Sequence, residues 1–371
     1  MFLPLVACGG GGSGSSGGSS GGTGTLELGL TDAFSDDYQA LYITVAEVQV
    51  KKQEQPEVEA GWVTVVTPEH TYNILELVNG AIASLGVGEL EAGQYGQVRL
   101  ILGELPESQE INILGAPHPY ANYVIDSEDN TRELKVPSGY QSGLKIVKGF
   151  TIAVSGATEL ILDFDAARSV VQAGKSGKYL LKPTIKVLET RDNSVVGLVV
   201  DGTGPVAGAS ISAQIYDPSA ADPMDHVIVE AATVSSETGG YTLFLPPDIY
   251  NIVVTKDGYL PACQEVEAQF FEEYVAEFTL AEATGTIAIS INVSGLETED
   301  DTALLSIRQT KDCGAGDAAV EVTSVNVTNG SYAITLPVGT SYSVVASASG
   351  HTTQVSGSIE ADAELDIDFD Q

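Results

Sequence analysis

The segment Thr25-Leu-Glu-Leu-Gly-Leu-Thr-Asp32 places a leucine at every second position. Successive side chains of a β-strand point to opposite faces of a sheet, so the three leucines would share one face. The next segment, Tyr42-Ile-Thr-Val-Ala-Glu-Val-Gln-Val50, is also rich in β-branched residues. Both segments therefore predict strands with one face in a hydrophobic core.

Short apolar runs of the same kind recur along the chain, separated by turn-forming Gly, Pro, Asn and Asp. In the first half they predict strands at residues 97–102, 122–125, 144–152, 158–164 and 179–188. Residues 74–85 predict a short helix instead. At the C-terminus, residues 360–370 alternate acidic and apolar side chains, which predicts a final strand with its acids in solvent.

The length and charge of the chain narrow its class. The 371 residues exceed the usual ~100–200 residues of one domain, and we expect three domains. The chain has 51 Asp and Glu residues but only 16 Lys and Arg residues, which gives a net charge of −35. Phosphate backbones and anionic lipid surfaces would therefore repel the protein. This charge argues against nucleic acid as a partner.

The N-terminus carries a candidate lipidation site. The motif Leu5-Val-Ala-Cys8 resembles the lipobox of bacterial lipoproteins, and this resemblance implies that Cys8 is acylated and becomes the mature N-terminus. Residues 1–8 would then be a truncated signal peptide, because a complete one needs a basic region and ~7–15 apolar residues. We expect either a misassigned start codon or a fragment.

Residues 9–24 form a Gly/Ser-rich run, which predicts a disordered tether with an r.m.s. span of about 20–24 Å. The diacyl or triacyl group of a lipoprotein anchors it stably. We therefore predict a protein of the cell envelope whose partner is the membrane, through its lipid. Gly9 replaces the Asp that often marks inner-membrane retention, which implies the outer membrane if the host has one. The sequence does not decide whether the protein faces the periplasm or the cell surface.

Several motifs of the first half carry a family resemblance: Leu30-Thr-Asp-Ala-Phe-Ser-Asp-Asp-Tyr38, Asn73-Ile-Leu-Glu-Leu-Val-Asn-Gly80 and Leu90-Glu-Ala-Gly-Gln-Tyr-Gly-Gln-Val-Arg-Leu100. They resemble domain of unknown function 4382, a family found largely in prokaryotic lipoproteins. The resemblance implies no activity, because the function of the family is unassigned.

The second half carries a different resemblance. Residues 195–211, with a Gly- and Pro-rich turn, and Thr238-Gly-Gly-Tyr-Thr-Leu-Phe-Leu-Pro246 resemble the carboxypeptidase regulatory-like domain, a transthyretin-like β-sandwich. The stretch from Tyr241 to Pro246 recurs from Tyr332 to Pro337, at an offset of 91. We therefore predict an internal duplication with a divergent second copy.

The predicted architecture is all-β: three tandem β-sandwich-like domains after a flexible lipoprotein tether. We call residues 25–191 module one, residues 193–281 module two and residues 285–371 module three. Cys263 and Cys313 remain once Cys8 carries lipid, and in an oxidising compartment they could form a disulfide between modules two and three. Two separate buried thiols are the alternative.

Candidate ligand sites are few. Asp32, Asp36 and Asp37 follow the first predicted strand, and their carboxylates suit Ca²⁺, but turn and capping roles explain them equally. Beyond Ca²⁺ we expect no cofactor. The four histidines, His70, His118, His226 and His351, are far apart and lack metal-ligand spacing, so the sequence predicts no zinc site. Gly174–Lys178 lacks the first Gly of a phosphate-binding loop and reads as a turn.

The function predicted from these features is a non-catalytic binding or scaffolding role in the envelope, with an unknown glycan, protein or cation ligand. One alternative is a self-associating surface or adhesion component. Another is an accessory part of an envelope enzyme, for which a buried carboxylate pair or a metal in module one would be the signal.

Overall fold

The fold is described from a computed structural model. The structure describes residues 22–33, 38–53, 61–78, 80–136, 143–173, 178–188, 194–269, 273–298 and 301–370. Cys8, most of the tether, Asp36 and Asp37 lie outside the described residues, as does most of the Gly174–Lys178 turn.

Module one is built from two sheets that pack face to face. One sheet has the strand order β13-β10-β1-β5, and the other has the order β11-β12-β8-β7-β2-β6-β9, with β3 and β4 also paired to β2. Its elements are β1 (Thr23–Ala33), β2 (Ala40–Lys52), β3 (Trp62–Val66), β4 (His70–Asn73), β5 (Ala83–Glu91), β6 (Gly93–Leu102), β7 (Asn122–Ile125), β8 (Thr131–Lys135), β9 (Leu144–Ile152), β10 (Ala157–Asp165), α1 (Ala166–Ser169), β11 (Val170–Ala173), β12 (Lys178–Leu181) and β13 (Thr184–Leu188).

The alternation in the first strand decides which face is buried. Leu26, Leu28 and Leu30 of β1 are buried in the largest hydrophobic cluster, together with side chains from both sheets. Strand β1 pairs with β10 in parallel and with β5 antiparallel. Parallel pairing matters for the site below, because it places the C-terminal ends of β1 and β10 side by side.

Two predictions for module one are corrected. Residues 74–85 do not form one helix: a 3₁₀ helix covers only Ile74–Glu76, and β5 begins at Ala83, where it pairs with β1. Residues 179–188 form two strands rather than one, because Pro183 lacks the N–H that a continuous strand would need. None of the helices in the described ranges has the length and hydrophobicity to span a membrane.

Modules two and three share one topology. In each, the first strand lies at the centre of a small sheet, and a four-stranded sheet faces it, with orders β16-β15-β18-β19 and β24-β23-β26-β27. Module two contains β14 (Ser194–Val200), β15 (Ser210–Tyr216), a 3₁₀ helix (Pro223–His226), β16 (Val227–Val234), β17 (Gly240–Phe244), β18 (Asp248–Thr255), β19 (Ala262–Ala268), β20 (Glu273–Val275) and β21 (Phe278–Thr279).

Module three contains β22 (Thr286–Ser294), β23 (Ala303–Asp312), β24 (Asp317–Val327), β25 (Gly330–Pro337), β26 (Tyr342–Ala348), β27 (Gln354–Val355) and β28 (Ala363–Asp368). In both modules the last strands pair in parallel with the first. The repeat seen in the sequence has a structural counterpart: Tyr250 donates a hydrogen bond to the Pro246 carbonyl at 2.9 Å, and Tyr342 donates to the Pro337 carbonyl at 2.8 Å. Each of these hydrogen bonds stabilises the turn that precedes the strand of its tyrosine.

The all-β architecture predicted from the sequence is confirmed. Each module has two sheets and a hydrophobic cluster of its own among the described residues, as expected of three tandem sandwiches.

Candidate functional site

The parallel ends of β1 and β10 bring three aspartates together. Asp32 lies opposite Phe164, Thr31 opposite Asp163, and Ala33 opposite Asp165. Asp32 and Asp163 are only 2% and 5% exposed. The sequence placed Asp32 in a loop with Asp36 and Asp37; the structure instead places it within β1, where Oδ1 accepts a hydrogen bond from the Ala166 N–H at 3.2 Å. Its other oxygen, Oδ2, has no hydrogen-bond partner among the described residues.

Burial raises the pKa values of these carboxyls. Desolvation, with Asp163 and Asp165 nearby, raises the pKa of Asp32 well above its usual range. Burial and Asp165 raise the pKa of Asp163 to about 7, although Lys186 acts in the opposite direction. A carboxyl that holds its proton near neutral pH is a hydrogen-bond donor rather than a strong cation ligand. Asp32 and Asp163 form a buried carboxyl pair of the kind that the enzyme alternative requires, but neither lines the cavities described below, so the pair gives that alternative no substrate site.

A buried contact joins this end of module one to module three. Arg168 of α1 donates to the Glu321 carboxylate of β24, and its Nε donates to the Ser324 hydroxyl at 3.2 Å. The Ser306 hydroxyl donates to the second oxygen of Glu321 at 2.6 Å. The Glu321 side chain is 7% exposed, so this pair is largely removed from water.

Module two reaches the same residue. The side-chain amide of Gln214, on β15, donates to the Glu321 carbonyl at 2.7 Å and accepts from the Glu321 N–H at 2.8 Å. Arg308 of module three donates to the carbonyls of Pro223 and Met224 in module two, both at 2.6 Å. We call these contacts around Glu321 the three-module junction. A cavity of about 420 Å³ lies beside it, lined in part by Arg168, Gln214 and Glu321.

Two further links join module two to its neighbours. The structure contains a disulfide between Cys263 of β19 and Cys313, which lies between β23 and β24, with a Cα–Cα distance of 4.9 Å. The two cysteines belong to a small apolar cluster with Val253 and Val320. Lys186 of module one contacts Glu230 of module two, with Nζ 2.9 Å from Oε2.

A second group of ionisable side chains lies at the other sheet of module one. The Nδ1 atom of His70 is 2.5 Å from Glu107 Oε2 and 3.9 Å from Glu110 Oε1. One ligand atom from each of these three residues lies within 4.8 Å of the others. His70 is the first residue of β4, whereas both glutamates lie in the loop between β6 and β7. We call these residues the His70 cluster.

A cavity of about 870 Å³ adjoins the His70 cluster. Its lining includes His70, Glu110, His118, Tyr42 and Tyr72. The rings of His118 and Tyr42 pack edge to face, with centroids 4.7 Å apart. Burial, with Glu107 and Glu110 nearby, raises the pKa of Tyr72 to about 12. Burial lowers the pKa of His118, so its ring is neutral near pH 7, the form that binds metals or accepts hydrogen bonds.

Other residues singled out in the sequence have structural roles. On β3, the ring of Trp62 is contacted by two cationic side chains, since Arg99 lies 4.3 Å and Lys51 5.5 Å from its ring centroid. His226 contacts the Ala220 carbonyl, and His351 contacts the Phe369 carbonyl. These contacts occupy one ring nitrogen of each histidine and the ring of Trp62.

The His70 cluster was missed in the sequence because its members are 37 and 40 residues apart, outside any metal-ligand spacing pattern. Only the pairing of β4 with β2 and the return of the long loop after β6 bring them together. The Asp32 and Asp163 pair, 131 residues apart, was missed for the same reason.

Comparison with protein families agrees with the sequence-based resemblance of module one. Residues 23–183 match the family described as Domain of unknown function (DUF4382). No curated protein matches the chain. The resemblance of modules two and three to carboxypeptidase regulatory-like domains stays a prediction.

Several solved structures are similar at low identity. The TIE protein of Bacillus anthracis is 14% identical with a TM-score of 0.19, over 93% of this chain and 50% of that protein, so the chain spans half its length. The shaft pilin SpaA of Lactobacillus rhamnosus GG is 14% identical with a TM-score of 0.21, over 47% of this chain and 96% of the pilin. A streptococcal ancillary pilin is 11% identical with a TM-score of 0.20, over 93% and 99%. At these values no function carries over from those proteins to this chain.

Proposed function

We propose that this chain is a lipid-anchored protein of the cell envelope with a non-catalytic scaffolding role, in which three β-sandwiches act as one rigid body. The observation that carries the proposal is the three-module junction. Side chains or backbone groups of all three modules meet at Glu321, and a disulfide and an ion pair join module two to its neighbours. Modules that moved independently of one another would need no such contacts.

The N-terminus and the charge support the envelope part of the proposal. The motif ending at Cys8 resembles a lipobox, and the Gly/Ser run behind it is long enough to hold module one clear of lipid headgroups. A net charge of −35 would also repel the body from anionic lipid. The rigid body would therefore present fixed surfaces at a distance from the membrane.

The anchor is tested by expressing the full-length gene with its own upstream sequence, as wild type, as Cys8→Ala and as Ser13→Ala. Ser13 lies in the same Gly/Ser run and is the matched control. We expect wild type and Ser13→Ala in the membrane fraction, with a diacyl- or triacylglyceryl group on Cys8 by mass spectrometry. Cys8→Ala should lose the lipid and leave the membrane. An unmodified Cys8 in wild type would overturn the proposal.

A further inference from the structure

The His70 cluster combines one imidazole and two carboxylates at one point of the surface. These are the ligand types that bind Zn²⁺ and related divalent ions in proteins. The side chains of His70, Glu107 and Glu110 are 36%, 28% and 44% exposed, so an ion can reach them from solvent. Three converging ligands from two separate chain segments are a stronger signal than a run of acids.

Hydrogen bonds through Thr71 hold the cluster in position. The Glu107 N–H donates to the Thr71 hydroxyl at 3.1 Å, which ties the loop after β6 to the residue that follows His70. The Thr71 hydroxyl also contacts the Thr44 hydroxyl of β2 at 2.8 Å. Glu69, directly before His70, has a left-handed φ of 48°, a conformation that costs a non-glycine residue energy and often marks functional sites.

His118 provides an independent observation. It is 7% exposed and lines the cavity that also includes His70 and Glu110. Its Nδ1 contacts the Tyr123 hydroxyl at 2.7 Å, whereas its Nε2 has no hydrogen-bond partner among the described residues. Burying a polar atom without a partner is unfavourable, and a group bound in the cavity beside His118 would supply the missing hydrogen bond.

We propose that His70, Glu107 and Glu110 bind a divalent transition-metal ion of the Zn²⁺ type, whose fourth coordination position faces the cavity lined by His118. Imidazole favours such ions over Ca²⁺, which prefers six to eight oxygen ligands. A water or a donor atom of a bound molecule would occupy the fourth position, on the side of the cavity where His118 lies. This site does not depend on the lipid anchor.

The geometry requires a small local adjustment. Two ligand atoms of a tetrahedral Zn²⁺ site lie about 3.3 Å apart, given Zn–ligand distances of about 2.0–2.2 Å. The His70–Glu107 pair at 2.5 Å must therefore open by about 1 Å, and Glu110 at 3.9 Å must close by about half as much. Changes of this size lie within the freedom of partly exposed side chains.

The proposal is tested with the full chain, freed of metal by dialysis against a chelator. Isothermal titration with Zn²⁺ measures affinity and stoichiometry, and Co²⁺ absorption in the visible range reports tetrahedral nitrogen and oxygen coordination. We expect one ion per chain. His70→Gln and Glu107→Gln should each weaken Zn²⁺ binding at least tenfold, and Glu110→Gln provides a second carboxylate variant at a more exposed position. His118→Phe should weaken it less and should alter the Co²⁺ spectrum.

Matched controls separate this site from scattered acidic groups. Glu104→Gln changes an exposed glutamate in the same loop, and His226→Gln changes a histidine in module two. Both should bind Zn²⁺ as wild type does, and circular dichroism should show that every variant is folded. The proposal is overturned if wild type binds less than half an equivalent. Equal affinity in the cluster variants and the controls, or Ca²⁺ binding as tight as Zn²⁺ that persists in His70→Gln, would also overturn it.

Discussion

Asp163 lies on β10, where its Oδ1 has no hydrogen-bond partner among the described residues and where Asp32 and Asp165 are its neighbours. A solvent-exposed aspartate would be ionised at neutral pH. Burial raises the pKa of Asp163 from its ordinary value of 3.8 to about 7. The folded state therefore holds a proton that the unfolded chain releases between about pH 4 and pH 7.

This difference predicts a stability that falls as pH rises. Below pH 4 the Asp163 carboxyl is protonated in both the folded and the unfolded state, and its contribution to the unfolding free energy is complete. As the pH rises through 7, the folded state also loses this proton, and the contribution disappears. In Asp163→Asn the decrease in unfolding free energy between pH 5 and pH 8 should be smaller than in wild type by about 2 kcal/mol. Urea unfolding at both pH values measures it. The exposed Asp257→Asn is the control, and a parallel decrease in all three proteins would contradict the prediction.

Among the secondary-structure elements, the one-turn helix α1 matters most for how the modules meet. It begins after Asp165, whose carboxylate accepts the Arg168 N–H at 2.9 Å, and this cap directs the Arg168 side chain toward β24. There it meets Glu321, which is 7% exposed. Removing one partner of a buried ion pair leaves an uncompensated charge, whereas replacing both with apolar residues can be nearly neutral.

Arg168→Met should therefore lower the unfolding free energy by about 3–5 kcal/mol, and the double variant Arg168→Met/Glu321→Leu should recover most of that loss. Lys186→Met breaks the more exposed Lys186–Glu230 pair and should cost about 1 kcal/mol or less. Urea midpoints followed by circular dichroism compare the four proteins. If the double variant were as unstable as the single one, the charge at Glu321 would not be the cause.

Elements with a local sequence signal were predicted well. The strands Asn122–Ile125 and Leu144–Ile152 have the predicted bounds, because alternating or apolar runs between turn residues specify them locally. The helix predicted over residues 74–85 was wrong: Ile74 reaches the core from a 3₁₀ helix of only three residues, and from Ala83 the chain pairs with β1 as β5, a tertiary effect. The Asp163 site and the His70 cluster had no local signal, since each depends on strands or loops far apart in sequence.

For the whole molecule, the question is whether three sandwiches behave as one body. Modules two and three repeat one topology, and each has its own hydrophobic cluster, so each could fold alone. The contacts that oppose this independence are the three-module junction, the Lys186–Glu230 pair and the Cys263–Cys313 disulfide. The junction consists of hydrogen bonds and an ion pair, and the strength of these interactions depends on burial. The disulfide, in contrast, is a covalent bond.

The disulfide closes a loop with a sequence separation of 50 residues that spans the boundary between modules two and three. A cross-link of this length stabilises a folded chain by about 4 kcal/mol in the chain-entropy account. Cys263→Ser/Cys313→Ser should lose about this amount, and calorimetry should show the unfolding of modules two and three separating into distinct transitions. Cys8→Ser keeps the disulfide and is the control. If the double variant kept the stability and the single transition of the control, non-covalent contacts would hold the modules together without the disulfide, because nothing covalent would then join them beyond the chain itself.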